Sequence, residues 1–205
     1  MEIKSLRSII IGFSGKIGSG KTTLSAAVAE ALNWPRVSFG DYVRGVARQR
    51  GLDDSRKVLQ EIGASLVENP NEFCLSVLHQ VAWKPGQHLV VDGVRHARIV
   101  DALRRVTEPS TVFLVFVKVH EKVRRQRRLN QGGTGKQRDP EYESHATEED
   151  VKAVLPAMAD LVVDGTRRVP DLMEQIVAWM QDRSEQTRRK NMKGSNPFLT
   201  HILFL

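Results

Sequence analysis

The sequence has little of what marks an exported or membrane protein. Its single cysteine, Cys74, cannot form an internal disulfide, so nothing in the chain requires an oxidising compartment. No apolar run approaches the roughly 20 residues that span a bilayer, and the short N-terminal run continues into glycines without a small-residue cleavage site. We therefore predict a cytoplasmic protein with no membrane segment, whose one thiol is buried rather than nucleophilic.

Aromatic and acidic residues are both scarce in the most basic stretch, residues 118–138. This stretch contains eight lysines and arginines and one acidic residue, Glu121, a balance of +7 that equals the net charge of the whole chain. Without aromatic residues it offers no stacking platform for single-stranded nucleic acid. The basic charge is therefore local, and it suits an anionic ligand or a nucleic-acid backbone.

Short apolar segments alternate with longer helical ones along residues 8–180. The predicted strands, each rich in Val, Ile, Leu or Phe, are residues 8–13, 36–39, 88–92, 111–119 and 161–164. Helical patterns fill the intervals, including residues 21–32, 41–50 and 97–106 and, at the end, residues 170–180. This alternation predicts repeated βα units around a parallel sheet buried on both faces, in an α/β fold with one core.

The first predicted strand runs into a segment that matches the P-loop pattern in full. Gly15 is followed after four residues by Gly20-Lys21-Thr22, and a helix-forming run comes next. The glycines allow backbone N–H groups to point at a phosphate chain, and the start of the helix adds the positive end of its dipole. We expect Lys21 to reach the β- and γ-phosphates as a catalytic residue, and Thr22 to ligate Mg²⁺. The predicted nucleotide-binding residues here are Gly15, Lys16, Ile17, Gly18, Ser19, Gly20, Lys21, Thr22 and Thr23.

Asp92 and Arg95 follow the third predicted strand. At the end of a strand in an open α/β sheet, Asp92 can hold Mg²⁺ or accept the proton of an attacking hydroxyl. Motor and clamp ATPases usually carry a second carboxylate directly after this position to orient the lytic water, whereas this chain has Gly93. The difference favours phosphoryl transfer over hydrolysis. Arg95 can contact a bound phosphate, although a turn-forming aspartate and a solvated arginine remain the alternatives.

The segment SFGDYVR, residues 38–44, follows the second predicted strand and opens a helix. Asp41 is either the N-cap of that helix or a substrate-binding residue. Arg44 suits function better, because a guanidinium group binds a second phosphate through two hydrogen bonds. We predict Asp41 and Arg44 as substrate-binding residues.

Arg124, Arg127 and Arg128 are spaced three and four residues apart, so they share a helix face. A glycine-rich segment, residues 132–135, follows them and precedes Arg138. A mobile flap of this kind can close over phosphates, exclude water and neutralise charge on the γ-phosphoryl group. We predict Arg124 and Arg128 as catalytic, Arg127 as nucleotide-binding and Arg138 as substrate-binding. A solvated charged helix and a nucleic-acid surface remain the alternatives.

Together these segments resemble the nucleoside monophosphate kinase-like group of P-loop kinases, which includes adenylate kinases, deoxynucleoside monophosphate kinases and dephospho-CoA kinases. Residues 15–22 match its P-loop, and residues 40–44 resemble the segment whose arginine holds the acceptor phosphate. Residues 91–95 resemble the third-strand motif of this group, and residues 124–138 are similar to a LID. Residues 159–165 resemble the closing strand, at which the backbone covers the adenine. The acidic run at 148–150 departs from adenylate kinases, which have paired arginines after the LID.

The resemblance implies a three-layer P-loop NTPase fold with a central parallel sheet of about five strands. The kinase domain would cover residues 1–180, with a helical acceptor-binding insertion at 41–84 and a LID region at 119–146. Residues 181–205 would form a basic, flexible tail. The expected cofactors are ATP and Mg²⁺.

The reaction that the resemblance implies moves the γ-phosphoryl group of Mg·ATP to a small phosphorylated acceptor. A nucleoside or deoxynucleoside monophosphate is the favoured acceptor. Gln60 of the insertion can read the edge of its base, although an exposed glutamine is the alternative. A dephospho-CoA kinase-like metabolite kinase is one alternative. A nucleic-acid-binding P-loop NTPase, whose basic helix contacts the backbone of RNA or DNA, is the other.

Overall fold

A five-stranded sheet in the order β2-β3-β1-β4-β5 organises the computed structural model, which describes residues 8–130 and 150–193. The strands are β1 (Ile9–Ser14), β2 (Arg36–Ser38), β3 (Leu89–Asp92), β4 (Thr111–Lys118) and β5 (Leu161–Asp164). Every pairing between neighbours in this order is parallel. The predicted α/β fold with about five parallel strands is therefore confirmed.

Helices cover both faces of this sheet and complete the three layers. They are α1 (Lys21–Leu32), α2 (Phe39–Gln49), α3 (Arg56–Val67), α4 (Pro70–His79), α5 (Ala97–Val106), α6 (Glu121–Asn130), α7 (Leu155–Met158) and α8 (Val169–Lys193). A π-helical turn, Asp150–Val154, leads directly into α7. The apolar residues of α1 and α8 pack on one face of the sheet, whereas those of α2 to α5 and α7 pack on the other.

Successive residues of the central strand β1 belong to different sides of the core. Ile10 packs with the α2 to α5 side and Ile11 with the α1 and α8 side, and both are fully buried. Neighbouring side chains of a strand point to opposite faces of the sheet, so burial on both faces requires a continuous apolar run. Burying one such isoleucine contributes about 1.5–3 kcal/mol to folding.

Helix α2 begins two residues earlier than predicted, and its N-cap is Ser38 rather than Asp41. The backbone N–H of Asp41 donates to Ser38 Oγ at 3.2 Å, and Ser38 has an extended backbone conformation. The side chain of an N-cap serine accepts a hydrogen bond from the backbone N–H three positions later, which has no partner within the helix. The alternative role of Asp41 as N-cap is therefore wrong, and its side chain is left for other contacts.

Helix α8 continues to Lys193, well beyond the predicted end at Met180. Residues 181–193, which we predicted to lie in a flexible tail, are therefore helical. Neither glycine nor proline occurs between Asp171 and Lys193, and Gly194 follows directly. The absence of a helix-breaking residue explains the longer helix.

Cys74 of α4 is fully buried, and burial raises the pKa of its thiol to about 12 against the opposing effect of the nearby Arg105 charge. A thiol with such a raised pKa is a poor nucleophile at neutral pH. Within residues 8–130 and 150–193, the helices are too short or too polar for any of them to cross a lipid bilayer.

Candidate active site

The P-loop leaves the carboxyl end of β1 and leads into α1. Gly15 has φ +149° and Gly20 has φ +87°, backbone conformations that favour glycine. A Cβ atom on Gly15 would lie 2.7 Å from the carbonyl oxygen of Val117 and 2.8 Å from Ser19 Oγ. Gly20 is the N-cap of α1 and makes no side-chain capping bond, so the N–H groups of the first turn are suited to a phosphate.

Lys21, at the first position of α1, is buried, with 8% of its surface exposed. Thr22 and Thr23 are exposed beside it. Ser19 is also buried, and among the described residues its hydroxyl has no hydrogen-bond partner. Buried polar atoms without partners are rare in folded proteins, so this hydroxyl suits a ligand at the loop.

A cavity of about 300 Å³, here called the smaller cavity, lies on one side of the P-loop. Residues of the P-loop, α1, β4, α6, the β5–α8 connection and α8 line it. They are Gly18, Ser19, Gly20, Thr23, Leu24, Val117, Arg127, Gly165, Arg167, Val169 and Leu172.

Two of the predicted LID arginines contact the backbone of the P-loop. Arg127 donates from Nη1 to the carbonyl oxygen of Ser19 at 3.2 Å and from Nη2 to that of Gly165 at 2.8 Å. Arg124 is buried and donates from Nη1 to the carbonyl oxygen of Ile17 at 3.0 Å. The remaining predicted LID residues, the side chain of Arg128, residues 132–135 and Arg138, lie outside the described part of the chain.

Gly165 lets the β5–α8 connection approach the P-loop closely. A Cβ atom there would lie 2.6 Å from methyl carbons of both Val117 and Val119, and 2.8 Å from the carbonyl oxygen of Ser19. Side chains do not tolerate such distances. Arg127 therefore bridges two backbone segments that only a glycine allows to meet.

Asp92 is the last residue of β3, and it pairs in register with Phe13 near the end of β1. Its side chain is 4% exposed and forms an ion pair in which Arg36 Nη2 donates to Oδ2 at 2.8 Å. The other carboxylate oxygen, Oδ1, has no hydrogen-bond partner among the described residues. An uncompensated carboxylate oxygen beside a P-loop fits Mg²⁺, which prefers oxygen ligands and binds through one or two carboxylates.

A second cavity of about 360 Å³, here called the larger cavity, lies on the side of the insertion. Apolar residues form much of its wall, and three arginines with one aspartate give it a positive charge. The lining residues are Ile17, Phe39, Gly40, Val43, Arg44, Asp54, Arg56, Leu59, Gln60, Gly63, Val67, Phe73, Gly93, Arg95, His96 and Ile99.

The structure brings Arg44 and Arg95 together at this cavity, although they belong to different elements. Arg44 is half exposed and forms an ion pair with Asp41, one helical turn before it. Asp41 itself does not line the cavity, so it supports Arg44 from outside. Gln60 does line the cavity, and its buried Nε2 has no hydrogen-bond partner among the described residues.

Sequence reasoning missed Arg36, which lies at the start of β2. Its partner Asp92 is 56 positions away, and no short motif contains both. It also missed Asp150, whose Oδ2 accepts a hydrogen bond from the backbone N–H of Ala97 at 3.0 Å and lies 3.6 Å from His96 Nδ1. The acidic residue that departs from the adenylate kinase pattern thus caps α5, at the rim of the larger cavity.

The chain is similar to known proteins in sequence and in fold. The sequence matches the AAA domain family over residues 14–147. A UPF0200 protein of Pyrobaculum aerophilum is 31% identical over 174 residues, which cover 82% of this chain and 94% of that protein. A cytidylate kinase of Haloarcula marismortui is 48% identical over 44 residues, or 22% of this chain and 23% of that protein.

Among solved structures, a gluconokinase from Sinorhizobium meliloti 1021 superposes with a TM-score of 0.57 at 19% identity, covering 91% of this chain and 98% of its own. The predicted P-loop kinase fold is thereby confirmed. The family match spans more than half of the chain, and the archaeal relative is matched over nearly its whole length. The chain therefore belongs to the AAA domain family and to the family of UPF0200 proteins.

Proposed function

We propose that the protein is an ATP-dependent phosphotransferase that moves the γ-phosphoryl group of Mg·ATP to a nucleoside or deoxynucleoside monophosphate. The observation that carries this proposal is the position of the two cavities. Ile17 lines the larger cavity, and the next residue, Gly18, lines the smaller one. A donor in the smaller cavity and an acceptor in the larger one would meet at the P-loop, as in-line transfer requires.

The smaller cavity suits the donor nucleotide. Backbone N–H groups of the P-loop and of the first turn of α1 would bind its phosphates, with Lys21 beside the β- and γ-phosphates. The apolar side chains of Val169 and Leu172 suit the base, next to the backbone of Gly165. Thr22 and Asp92 would hold Mg²⁺, which neutralises charge on the transferred phosphoryl group.

The walls of the larger cavity favour a nucleotide as the acceptor. Phe39 and Phe73, which meet edge to face with ring centroids 4.9 Å apart, offer an apolar surface to a flat base. Arg44 and Arg95 offer the bidentate donors that a phosphate group prefers. A sugar acid, which has no flat base, would leave this apolar wall unmatched.

The partial match to a cytidylate kinase supports an acceptor of the same class. Gln60 is the candidate for reading the base, because an amide presents both a donor and an acceptor to the edge of a base. The position after Asp92 also favours transfer, since Gly93 offers no carboxylate to orient a lytic water.

The contacts of α6 weigh against the nucleic-acid alternative. Arg124 and Arg127 donate to carbonyl oxygens of the P-loop, so both guanidinium groups are held beside this loop and not on a surface open to a nucleic-acid backbone. In this position they would instead stabilise negative charge on the phosphoryl group during transfer. The cytoplasmic location that we predicted remains part of this proposal.

A panel of acceptors tests the proposed function. The purified protein is incubated with Mg·ATP and, separately, with CMP, dCMP, UMP, AMP, GMP, dephospho-CoA, gluconate, and single- and double-stranded oligonucleotides, and ADP formation is followed. We expect ADP together with a nucleoside diphosphate for at least one monophosphate. Equal ADP formation with and without every acceptor would contradict transfer, and turnover only with dephospho-CoA or only with oligonucleotides would favour the corresponding alternative.

A further inference from the structure

A chain of hydrogen bonds joins Asp92 to the first turn of α1 through Arg36. Arg36 donates from Nη2 to Asp92 Oδ2 at 2.8 Å and from Nε to Ser25 Oγ at 3.0 Å. Ser25 Oγ in turn donates to the carbonyl oxygen of Thr22 at 2.9 Å. Three bonds therefore connect the two residues that we expect to hold Mg²⁺, Thr22 and Asp92.

The geometry of Arg36 suits this connection. Its guanidinium group is planar and presents donors in several fixed directions, so one side chain can hold a carboxylate and a hydroxyl at once. A lysine offers a single nitrogen on a flexible stem and cannot hold both partners at these positions. The Arg36 side chain is 23% exposed, whereas that of Asp92 is 4% exposed, so the pair is largely shielded from water.

The ion pair uses only one of the two carboxylate oxygens of Asp92. Oδ2 is bound to Arg36, and Oδ1 has no hydrogen-bond partner among the described residues. Leaving a buried carboxylate oxygen unpaired is costly, and a free carboxyl group would rotate to satisfy it. Arg36 prevents that rotation by holding Oδ2.

We infer that Arg36 is a positioning residue for the divalent cation of the bound nucleotide. It holds Asp92 so that Oδ1 stays available to the cation or its water, and it fixes this carboxylate relative to Thr22. The inference rests on the nucleotide half of the proposed function and is independent of the acceptor. Replacing a residue that hydrogen-bonds to a metal ligand typically lowers metal affinity or activity by roughly 10–100-fold.

Nucleotide binding with and without metal tests this role. ADP affinity is measured by calorimetry in Mg²⁺ and in EDTA for the parent protein, Arg36→Lys, Ser25→Ala and Asp92→Asn. We expect Arg36→Lys to bind ADP in EDTA with the affinity of the parent protein. The factor by which Mg²⁺ raises the affinity for ADP should be roughly tenfold smaller than in the parent. Ser25→Ala removes the bonds to Arg36 Nε and to the carbonyl oxygen of Thr22 but leaves the ion pair with Asp92, so it should lose less of this enhancement. Mn²⁺ binding in the presence of ADP, followed by electron paramagnetic resonance, should weaken in the same order.

Two controls separate positioning from a general loss of structure. Arg104→Lys alters an exposed arginine whose ion pair with Asp101, at 3.5 Å, lies on α5, and it should behave as the parent. The double variant Arg36→Lys/Asp92→Asn should lose no more of the Mg²⁺ enhancement than Asp92→Asn alone, because residues that act through one another are not additive. If Arg36→Lys does not fold, Ser25→Ala and its double variant with Asp92→Asn provide the same comparison.

The inference fails if Arg36→Lys lowers ADP affinity equally in Mg²⁺ and in EDTA, or if the losses of Arg36→Lys and Asp92→Asn add fully. It also fails if the parent protein binds ADP equally well with and without Mg²⁺. If no acceptor of the panel raises ADP formation but the Mg²⁺ enhancement still depends on Arg36, the proposed transfer reaction is contradicted. This inference then still stands.

Discussion

The two cavities beside the P-loop are lined by different kinds of chemical groups. Gly18, Gly20 and Gly165 line the smaller cavity, and Arg127, which also lines it, bonds to the carbonyl oxygens of Ser19 and Gly165. Side chains from several separate elements, both apolar and charged, form the larger one. A backbone site binds what all nucleotides share, the phosphates, whereas a side-chain site can select one acceptor from many.

The difference also predicts how each cavity tolerates substitution. Gly165 is fixed by close contact and Gly20 by its φ of +87°, so a methyl group added to either glycine disturbs the site. Arg44 and Arg95 of the larger cavity are not buried, so replacing either changes affinity for a ligand while the fold remains. The predictions below test this contrast, from the largest expected effect to the smallest.

Replacing Lys21 by alanine should lower the turnover number by about 10²–10³-fold, because the γ-phosphoryl group would lose a preorganised positive charge. Steady-state ADP formation with the best acceptor of the panel measures this effect. Lys57→Ala, which removes an exposed lysine of α3, is the matched control and should leave turnover unchanged. Unchanged turnover in Lys21→Ala would refute the assignment of the phosphate site.

Replacing Gly165 by alanine should destabilise the protein by about 1–3 kcal/mol, because a Cβ atom there would lie 2.6 Å from side-chain carbons of both Val117 and Val119. Affinity for ADP should fall with it, since the β5–α8 connection must move away from the P-loop. Thermal unfolding and calorimetry measure the two effects. In Gly45→Ala of α2 the added Cβ meets no atom within 4 Å, so it should instead gain about 0.5–1 kcal/mol. Equal stability changes in the two variants would contradict the close packing described here.

Replacing Arg95 by alanine should raise the KM for the acceptor by about tenfold while ADP affinity stays unchanged, because one charged hydrogen bond to the acceptor phosphate is lost. Arg104→Ala, which removes an exposed arginine of the following helix, controls for net charge. Initial rates at varied acceptor and fixed Mg·ATP separate the two constants. If ADP affinity fell and the KM for the acceptor did not change, Arg95 would belong to the donor side instead.

The elements that were predicted correctly from the sequence are those that a local pattern of residues specifies. Strand β5 and helices α1 and α5 begin and end at the predicted residues, because buried apolar runs and helical periodicity are local properties. The start of α2 was missed because Ser38 and Asp41 are both good capping residues, and only the backbone conformation distinguishes them. The end of α8 was missed because a change to polar composition does not by itself end a helix.

The residues of the candidate site also differ in whether a local sequence pattern reveals them. The P-loop was found from glycine spacing, since its chemistry depends on backbone groups that successive residues supply. Arg36 was not found, because it meets Asp92 only where β2 lies beside β3 in the sheet. Arg124 and Arg127 were expected to face a bound nucleotide, and their contacts with P-loop carbonyl groups emerged only from the packing of α6.

The sequence by itself therefore determined the class of fold, the phosphate-binding loop and the strand-end carboxylate Asp92. These features depend on residues close together in the chain, where spacing and periodicity already specify the backbone. Only the tertiary structure decided which side chains share a cavity, which oxygen of Asp92 is left without a partner, and why Gly165 must be glycine. Such contacts join residues far apart in the chain, and their distances are set by how strands and helices pack rather than by any local pattern.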